Sequence, residues 1–502
     1  MENINPRQTT KSIFRNVVYG SLTWFLPLIM SFIATPVIVR SLGNNDYGIY
    51  ALVLGFISYS FTFSFGRAIT KYIAEYRVSG ETDKISDVIS ATFFINIVVG
   101  LAGVITTVLL AGWLVRDVFK IEPAAQQKSI TAIYLASAII FLWMFNQVFT
   151  SILQGIQRFD VYSKIFTASS FVLTSGNLAL AYAGFGLVSL LIWNVSVLCI
   201  FFAVYGFSAR RLLPEFAIKF RFSRETLRLV LRYSAGIVGY QVAANILLLF
   251  ERGWITQQLG TESLTYYVVP MSLGLYLHGF VTSLVLVIFP LASELNNQRD
   301  KLLRLYIKAT KVICMIIVFV VATVMVQSHN FLQLWMGDNF AEHSSVLLML
   351  HITCFSMLAI MSITWQMTEG LGFPQFNALT TAISTIIGVS LMLVLIGSFG
   401  TVGVAAARLA GMGTIFFSIF VVEKWFFKKV QLRFWVGLAI NLIIAAVSAV
   451  VVEYLIVRSL PVSWPVLVLS VAFGGSMYCL VLWFLNFVTS DEKLLIRQVF
   501  SR

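Results

Sequence analysis

Fourteen apolar stretches, each long enough to cross a bilayer, follow one another along this 502-residue chain, and the polar residues between them are too few to build a separate domain. A spanning helix needs about 20 apolar residues, because an unpaired backbone amide cannot be left in lipid. The pattern predicts helices near 16 to 39, 48 to 66, 88 to 112, 130 to 153, 162 to 184, 186 to 207, 233 to 256, 264 to 290, 305 to 327, 345 to 368, 376 to 397, 401 to 422, 434 to 453 and 465 to 487. The expected fold class is an all-α polytopic membrane protein.

The cations between these spans fall on alternate sides very unequally. One side holds 28 of the 35 Lys and Arg residues, including Arg67, Lys71, Arg77 and Lys84 and seven in the 209–232 connection. The other holds Arg40, Arg116, Lys120, Lys128 and Arg458. Because excess Lys and Arg mark the cytoplasmic face, both termini are expected in the cytoplasm. The basic connections 67–86 and 209–232 read as short amphipathic helices lying on anionic lipid.

Composition agrees with this reading. Apolar residues make up 59% and charged residues 11%, against roughly half and a quarter in soluble domains. The +13 formal charge is mostly the topological bias, and no basic run sits on a module that would bind nucleic acid. The first span lacks a small-residue cleavage site, so no removable signal peptide is expected. Cys199, Cys314, Cys354 and Cys479 all fall inside expected spans and read as packing residues, so neither disulfide, metal nor cofactor chemistry is expected.

The chain reads as a duplication. Leu42-Gly43 followed by Ile49-Tyr50 recurs as Leu259-Gly260 followed by Tyr266-Tyr267; Gln154-Gly155-Ile156 with Phe159 recurs as Glu369-Gly370-Leu371 with Phe373; Phe185-Gly186-x-Val188 recurs as Phe399-Gly400-x-Val402. All three offsets are 214 to 217 residues. Each copy holds six spans and starts on the same side, so the repeat is parallel, with a site expected between two bundles that can rock. The expected organisation is a bundle over 1–208, a cytoplasmic basic linker over 209–232, a second bundle over 233–422, and two additional spans with a cytoplasmic tail over 423–502.

Ionisable residues within the membrane are expensive and point to a lining or pathway role. Gln241, Asn245 and Arg252 fall within about 40° on one face of span seven. Arg408 lies roughly two turns inside span twelve among small residues, Gly403 to Gly411. These guanidinium and amide side chains, with Arg40 at the outer end of span one, are the candidate ligands for an anionic substrate. Each arginine also has a plainer reading, as a headgroup anchor or a carbonyl-bonded structural residue. Glu251 and His278 are the candidate ion-coupling groups, although a neutral hydrogen-bonded histidine between helices also fits His278. Pro27, Pro36, Pro270 and Pro290 favour kinks that suit a moving gate. Glu294, Glu369, Glu423 and Glu453 are read as span ends.

The segment Pro36-Val-Ile-Val-Arg40-Ser-Leu-Gly43-Asn-Asn-Asp-Tyr-Gly48-Ile-Tyr50, followed by Gly66-Arg67-Ala-Ile-Thr-Lys71-Tyr-Ile-Ala-Glu75 and the loop Gln154-Gly155-Ile-Gln-Arg158-Phe159, resembles Wzx-type oligosaccharide flippases of the MOP exporter superfamily. The resemblance implies transfer of an undecaprenyl-diphosphate-linked oligosaccharide to the outer leaflet of the bacterial cytoplasmic (inner) membrane by alternating access through a cationic cavity. It implies membrane lipids as surroundings and the polysaccharide polymerase machinery as a further partner. Only Arg40 lies in a matching motif. The drug antiporters of the superfamily carry an acid in the first bundle, and spans one to six have none. A drug or ion antiporter on the same fold and a membrane polymerase or glycosyltransferase are the competing readings; the latter is disfavoured because the outer connections 113–129 and 328–344 are short.

Overall fold

The computed structural model describes residues 26–61, 63, 65–214, 217–218, 223–285, 288, 292, 298–371 and 373–487. Among them every regular element is a helix, as apolar segments without water to bond their amides require. Fourteen helices follow in order: α1 (Leu26–Leu42), α2 (Asn44–Phe61), α3 (Gly66–Ser79), α4 (Thr82–Trp113), α5 (Pro123–Gly155), α6 (Phe159–Tyr182), α7 (Leu187–Leu212), α8 (Arg224–Val285), α9 (Arg299–Met336), α10 (Asp338–Gly370), α11 (Pro374–Gly411), α12 (Thr414–Phe426), α13 (Leu432–Ser459) and α14 (Trp464–Phe484).

By length and apolarity, ten of the described helices can cross a membrane, or eleven if α1 and the start of α2, bent by 120°, are one span. The difference from fourteen lies in how continuous helices are divided. Helix α8 carries a non-helical residue at Gly260 (φ 85°) and α11 another at Gly400 (φ 55°). At Gly400 the chain folds back on itself: Ser384 Oγ donates to the Gly411 carbonyl at 2.9 Å, and a Cβ on Gly403 would lie 2.5 Å from the Leu395 carbonyl oxygen. Eight residues of unbroken helix would separate Gly403 from Leu395 by roughly 12 Å. Cut at these two points, the helices cover every expected apolar stretch, with 401 to 422 divided between the end of α11 and α12, and α3 as an additional helix. The amino-terminal part of span one, Pro290 and Glu294 lie outside the described residues.

Backbone geometry repeats with the sequence. Positive φ occurs at Gly43, Lys120 and Gly184 and again at Gly260, Gly337 and Gly400, at offsets of 217, 217 and 216 residues. All six lie in connections expected on the outer side, and Lys120 shows that the turn, not the glycine, is what recurs.

The chain forms two compact units, Met1–Thr265 and Tyr266–Arg502. The first is organised on α5, where Val148, Phe149, Ile152 and Leu153 pack with Ile69 and Ile73 of α3, Ile85 and Ile89 of α4, and Tyr205 of α7. Helix α3 is docked and not free on lipid: Thr70 Oγ1 donates to the Ser151 carbonyl at 3.2 Å, and Arg77 to the Ile156 carbonyl at 3.4 Å. The 209–232 connection is not a helix of its own among the described residues; α7 ends at Leu212 and α8 begins at Arg224. The second unit has one core of Ile313, Ile317, Ala359, Ile363, Met367 and Val422, and another where the α13–α14 hairpin meets α9 through Cys314, Leu442, Ala445, Ala449 and Tyr478. Large apolar side chains such as Leu109, Phe207, Val394 and Phe484 remain exposed, as on surfaces solvated by acyl chains.

Packing places the first leg of α8 in the first unit, whereas the sequence repeat assigns it to the second copy. The reason is local: Asn245 and Arg252 bond α2 directly, and Thr265 Oγ1 donates to the Asn44 carbonyl at 2.6 Å.

Candidate functional site

In the first unit, the stripe on α8 meets α2. Asn245 Nδ2 donates to the Tyr59 carbonyl at 3.0 Å, and Arg252 Nη1 donates to the Ala51 carbonyl at 2.9 Å. The guanidinium carbon stands 5.3 Å from the centre of the Tyr59 ring, a cation–π contact. Gly55 creates the space: a Cβ there would lie 2.7 Å from Cζ, Nε and Nη1 of Arg252. Arg252 Nε is buried and has no partner, and no carboxylate among the described residues pairs with this cation. Neighbouring Glu251 is buried but does not form an ion pair with it. Gln241 is half-buried about three turns earlier, and Arg40 is exposed in the last turn of α1.

A Gly55→Val substitution is therefore expected to push the guanidinium off the Ala51 carbonyl while leaving charge and expression unchanged. Transport should fall as it does on loss of Arg252; wild-type transport by this variant would separate the arginine's position from function.

In the second unit, Arg408 on α11 is buried at 6% exposure. Its guanidinium lies over the Phe355 ring at 4.9 Å, and Nη1 faces Met271 Sδ at 3.9 Å. Two histidines, His278 and His351, flank the Phe355 ring that lies under it, each with ring centres 6.5 Å apart. His278 Nε2 is 3.3 Å from Thr282 Oγ1 and 3.4 Å from Ser362 Oγ, so this half-buried ring is hydrogen-bonded between α8 and α10. His351 is fully buried, edge-on to Tyr267 with ring centres 4.6 Å apart. Sequence reasoning passed over His351, though the signal was present: a second ionisable side chain inside an apolar span.

Sequence reasoning also read Glu423 and Glu453 as span ends, and both are wholly buried. Glu423 Oε1 accepts from Tyr306 Oη at 3.0 Å and Trp435 Nε1 at 2.7 Å, and Oε2 accepts from the Gln431 amide at 2.6 Å.

Two features of the first unit lie away from Arg252's contacts. A cavity of about 250 Å³ between α5, α6 and α7 is lined by Trp143, Asn146, Gln147, Tyr162, Ser169 and Tyr205 among others. The 154–159 loop is fixed by Arg158, whose Nε and Nη2 donate to Asp160 at 2.9 and 3.0 Å. That hydrogen-bonded pair holds the Asp160 carboxyl below its ordinary range. Its small stabilising contribution is thus present at neutral pH and is lost only as pH falls through the lowered value.

Two units of long apolar helices, each holding a cation within its spans, define a multi-pass membrane protein. The comparisons with known proteins agree. The profile of the polysaccharide biosynthesis protein family matches residues 37–345, well over half of the chain, and the protein belongs to that family. The "Putative O-antigen transporter" of Shigella flexneri is 20% identical over 405 residues, covering 78% of this chain and 93% of that one. Among solved structures, lipid II flippase MurJ in an inward closed conformation superposes with a TM-score of 0.73 at 15% identity, over 93% of this chain and 98% of its own. An inward-facing multidrug resistance MATE transporter of the MOP superfamily gives 0.67 at 18% identity, over 79% and 96%. A MOP superfamily transporter from Pyrococcus furiosus gives 0.60 at 18% identity, over 81% and 94%. The fold is the MOP fold, and the resemblance to Wzx-type flippases holds.

Proposed function

We propose that this protein flips an undecaprenyl-diphosphate-linked oligosaccharide from the inner to the outer leaflet of the bacterial cytoplasmic membrane by alternating access, for cell-surface polysaccharide synthesis. The observation that carries the reading is Arg252. It is a permanent cation inside a span that, among the described residues, has one acceptor, a buried Nε without a partner and no carboxylate paired with it. A buried cation is costly unless something completes its bonding, and a planar guanidinium fits phosphate oxygens two at a time. A diphosphate, which lipid cannot solvate, is such a group. Arg408 supplies a second cation, reached when the side chains of Met271 and Phe355 move aside. Arg40, Gln241 and Asn245 are assigned to the same path, and the hydrogen-bonding capacity of Gln241 and Asn245 suits the sugar end. The family and its relatives are transporters, which favours this reading over an enzyme.

The test is passage of a labelled lipid-linked oligosaccharide across liposomes containing the purified protein, with empty liposomes of the same lipid composition as control. Equal rates in the two preparations would overturn the proposal.

The same reading places both termini and the 209–232 connection in the cytoplasm. In a background lacking the four native cysteines, Ser459→Cys should react with an impermeant thiol reagent added to outer-membrane-permeabilised cells, and Ser223→Cys should not. Both positions are exposed, so access is decided by side alone. The opposite labelling would reverse the topology.

A further inference from the structure

Glu453 and Glu423 are both buried acids on the helices of the second unit, but their surroundings differ in kind. Three donors meet the Glu423 carboxyl, so that both of its oxygens have a partner. Glu453 receives one: Thr323 Oγ1 donates to its Oε1 at 2.8 Å. Its Oε2 is buried and unpartnered, and so are Gln327 Oε1 and Ser328 Oγ on the facing turn of α9. Thr323 and Gln327 are the polar side chains beside the carboxyl.

The orientation of the Gln327 amide follows from its neighbour. Ser470 Oγ gives its proton to the Leu467 carbonyl at 2.9 Å and so can only accept from Gln327, whose Nε2 stands 2.8 Å away. The amide oxygen is thereby left over, and of the Glu453 carboxyl only Oε1 has a donor. Two buried acceptors without a donor carry a penalty that one proton shared between them would remove.

Helix α14 is shaped around this group. A Cβ on Gly474 would lie 2.5 Å from Cγ and 2.6 Å from Oε1 of Glu453. An apolar cavity of about 210 Å³ lies against Thr323, Gln327 and Ser328 on the facing turns of α9. Among the described residues no charged side chain pairs with the carboxyl. On the elements around it, Arg458 of α13 and His329 of α9 are exposed, Tyr478 of α14 bonds the Met315 carbonyl, and α10 presents Leu348 and Ile352, with His351 set against Tyr267.

We propose that Glu453 is a proton-binding site of this protein: a neutral carboxylic acid at neutral pH, its O–H given to Gln327 Oε1, in a pocket built by α9, α13 and α14. Release of that proton leaves a carboxylate and a bare amide oxygen together, which loosens the α13–α14 hairpin from α9. The proton bound here thus favours the closed packing of the hairpin. Glu453 was not among the coupling candidates of the sequence, Glu251 and His278.

The test is infrared spectroscopy of the whole protein in lipid nanodiscs, independent of transport. At neutral pH a carboxylic-acid carbonyl band should be present, shift on exchange into deuterated water, and disappear on alkalinisation. Glu453→Gln, isosteric with the protonated acid, should remove that band while keeping the wild-type melting temperature, and Glu423→Gln should leave it in place. The proposal is overturned if the wild-type band is absent at neutral pH, as a water-solvated carboxylate would give. It is equally overturned if sodium at constant pH removes the band, or if Glu453→Gln fails to fold.

Discussion

An Arg252→Ala protein is expected to reach the membrane at the wild-type level and to carry lipid-linked oligosaccharide at least tenfold more slowly. The side chain makes one hydrogen bond within the fold, to Ala51, and its removal leaves a carbonyl on α2 that the helix can tolerate. Stability should therefore change little, whereas the loss of a charge-assisted contact to a poorly hydrated phosphate costs on the order of 1.5 to 3 kcal/mol, or about a tenfold fall in occupancy and more. Arg252→Lys should recover only part of the rate. An ammonium keeps the charge but not the planar fork that bonds Ala51 and an anion at once. Liposome transport rates normalised to incorporated protein decide the matter: full transport by Arg252→Ala would remove the basis for an anion site at this position. Arg408→Ala is expected to act in the same direction.

The spans were legible because lipid imposes one rule on every segment, internal satisfaction of backbone hydrogen bonds, and that rule is written in apolar length. The face of α8 was legible too, since Asn245 and Arg252 are separated by seven residues and a helix returns to the same side at that spacing. What the face meets was not. That α2 lies opposite, with Gly55 opened to admit the guanidinium, depends on which helices pack together, and no periodicity encodes that. Nor was the burial of Arg408 between Met271 and Phe355 visible, because its small neighbours suggested room for a ligand equally well. The acids show the limit of hydropathy most clearly. An averaged apolar window ends at Glu453, yet α13 continues through Tyr454, Leu455, Ile456 and Val457 to Ser459, and the carboxyl is carried inside by Thr323 of another helix.

Glu423→Ala should be the most destabilising of these substitutions. The carboxylate ties α12 to α9 through Tyr306 and to α13 through Trp435, and it caps the start of α13 at the Gln431 amide, where the helix dipole also favours an anion. Truncation leaves three buried or half-buried donors without an acceptor. Each carries about 1 to 3 kcal/mol, and because neighbouring losses do not add in full, the expected total is about 3 to 5 kcal/mol. Against a native stability of about 5 to 15 kcal/mol, that is a large fraction. The melting temperature in detergent should drop sharply, and adding Tyr306→Phe to the Glu423→Ala protein should restore part of the loss, since it removes one of the stranded donors. Tyr306→Phe alone should destabilise. A melting temperature unchanged by Glu423→Ala would mean that water replaces the carboxylate at this junction, and that the three helices are held there by Tyr306, Phe427 and the surrounding apolar core alone.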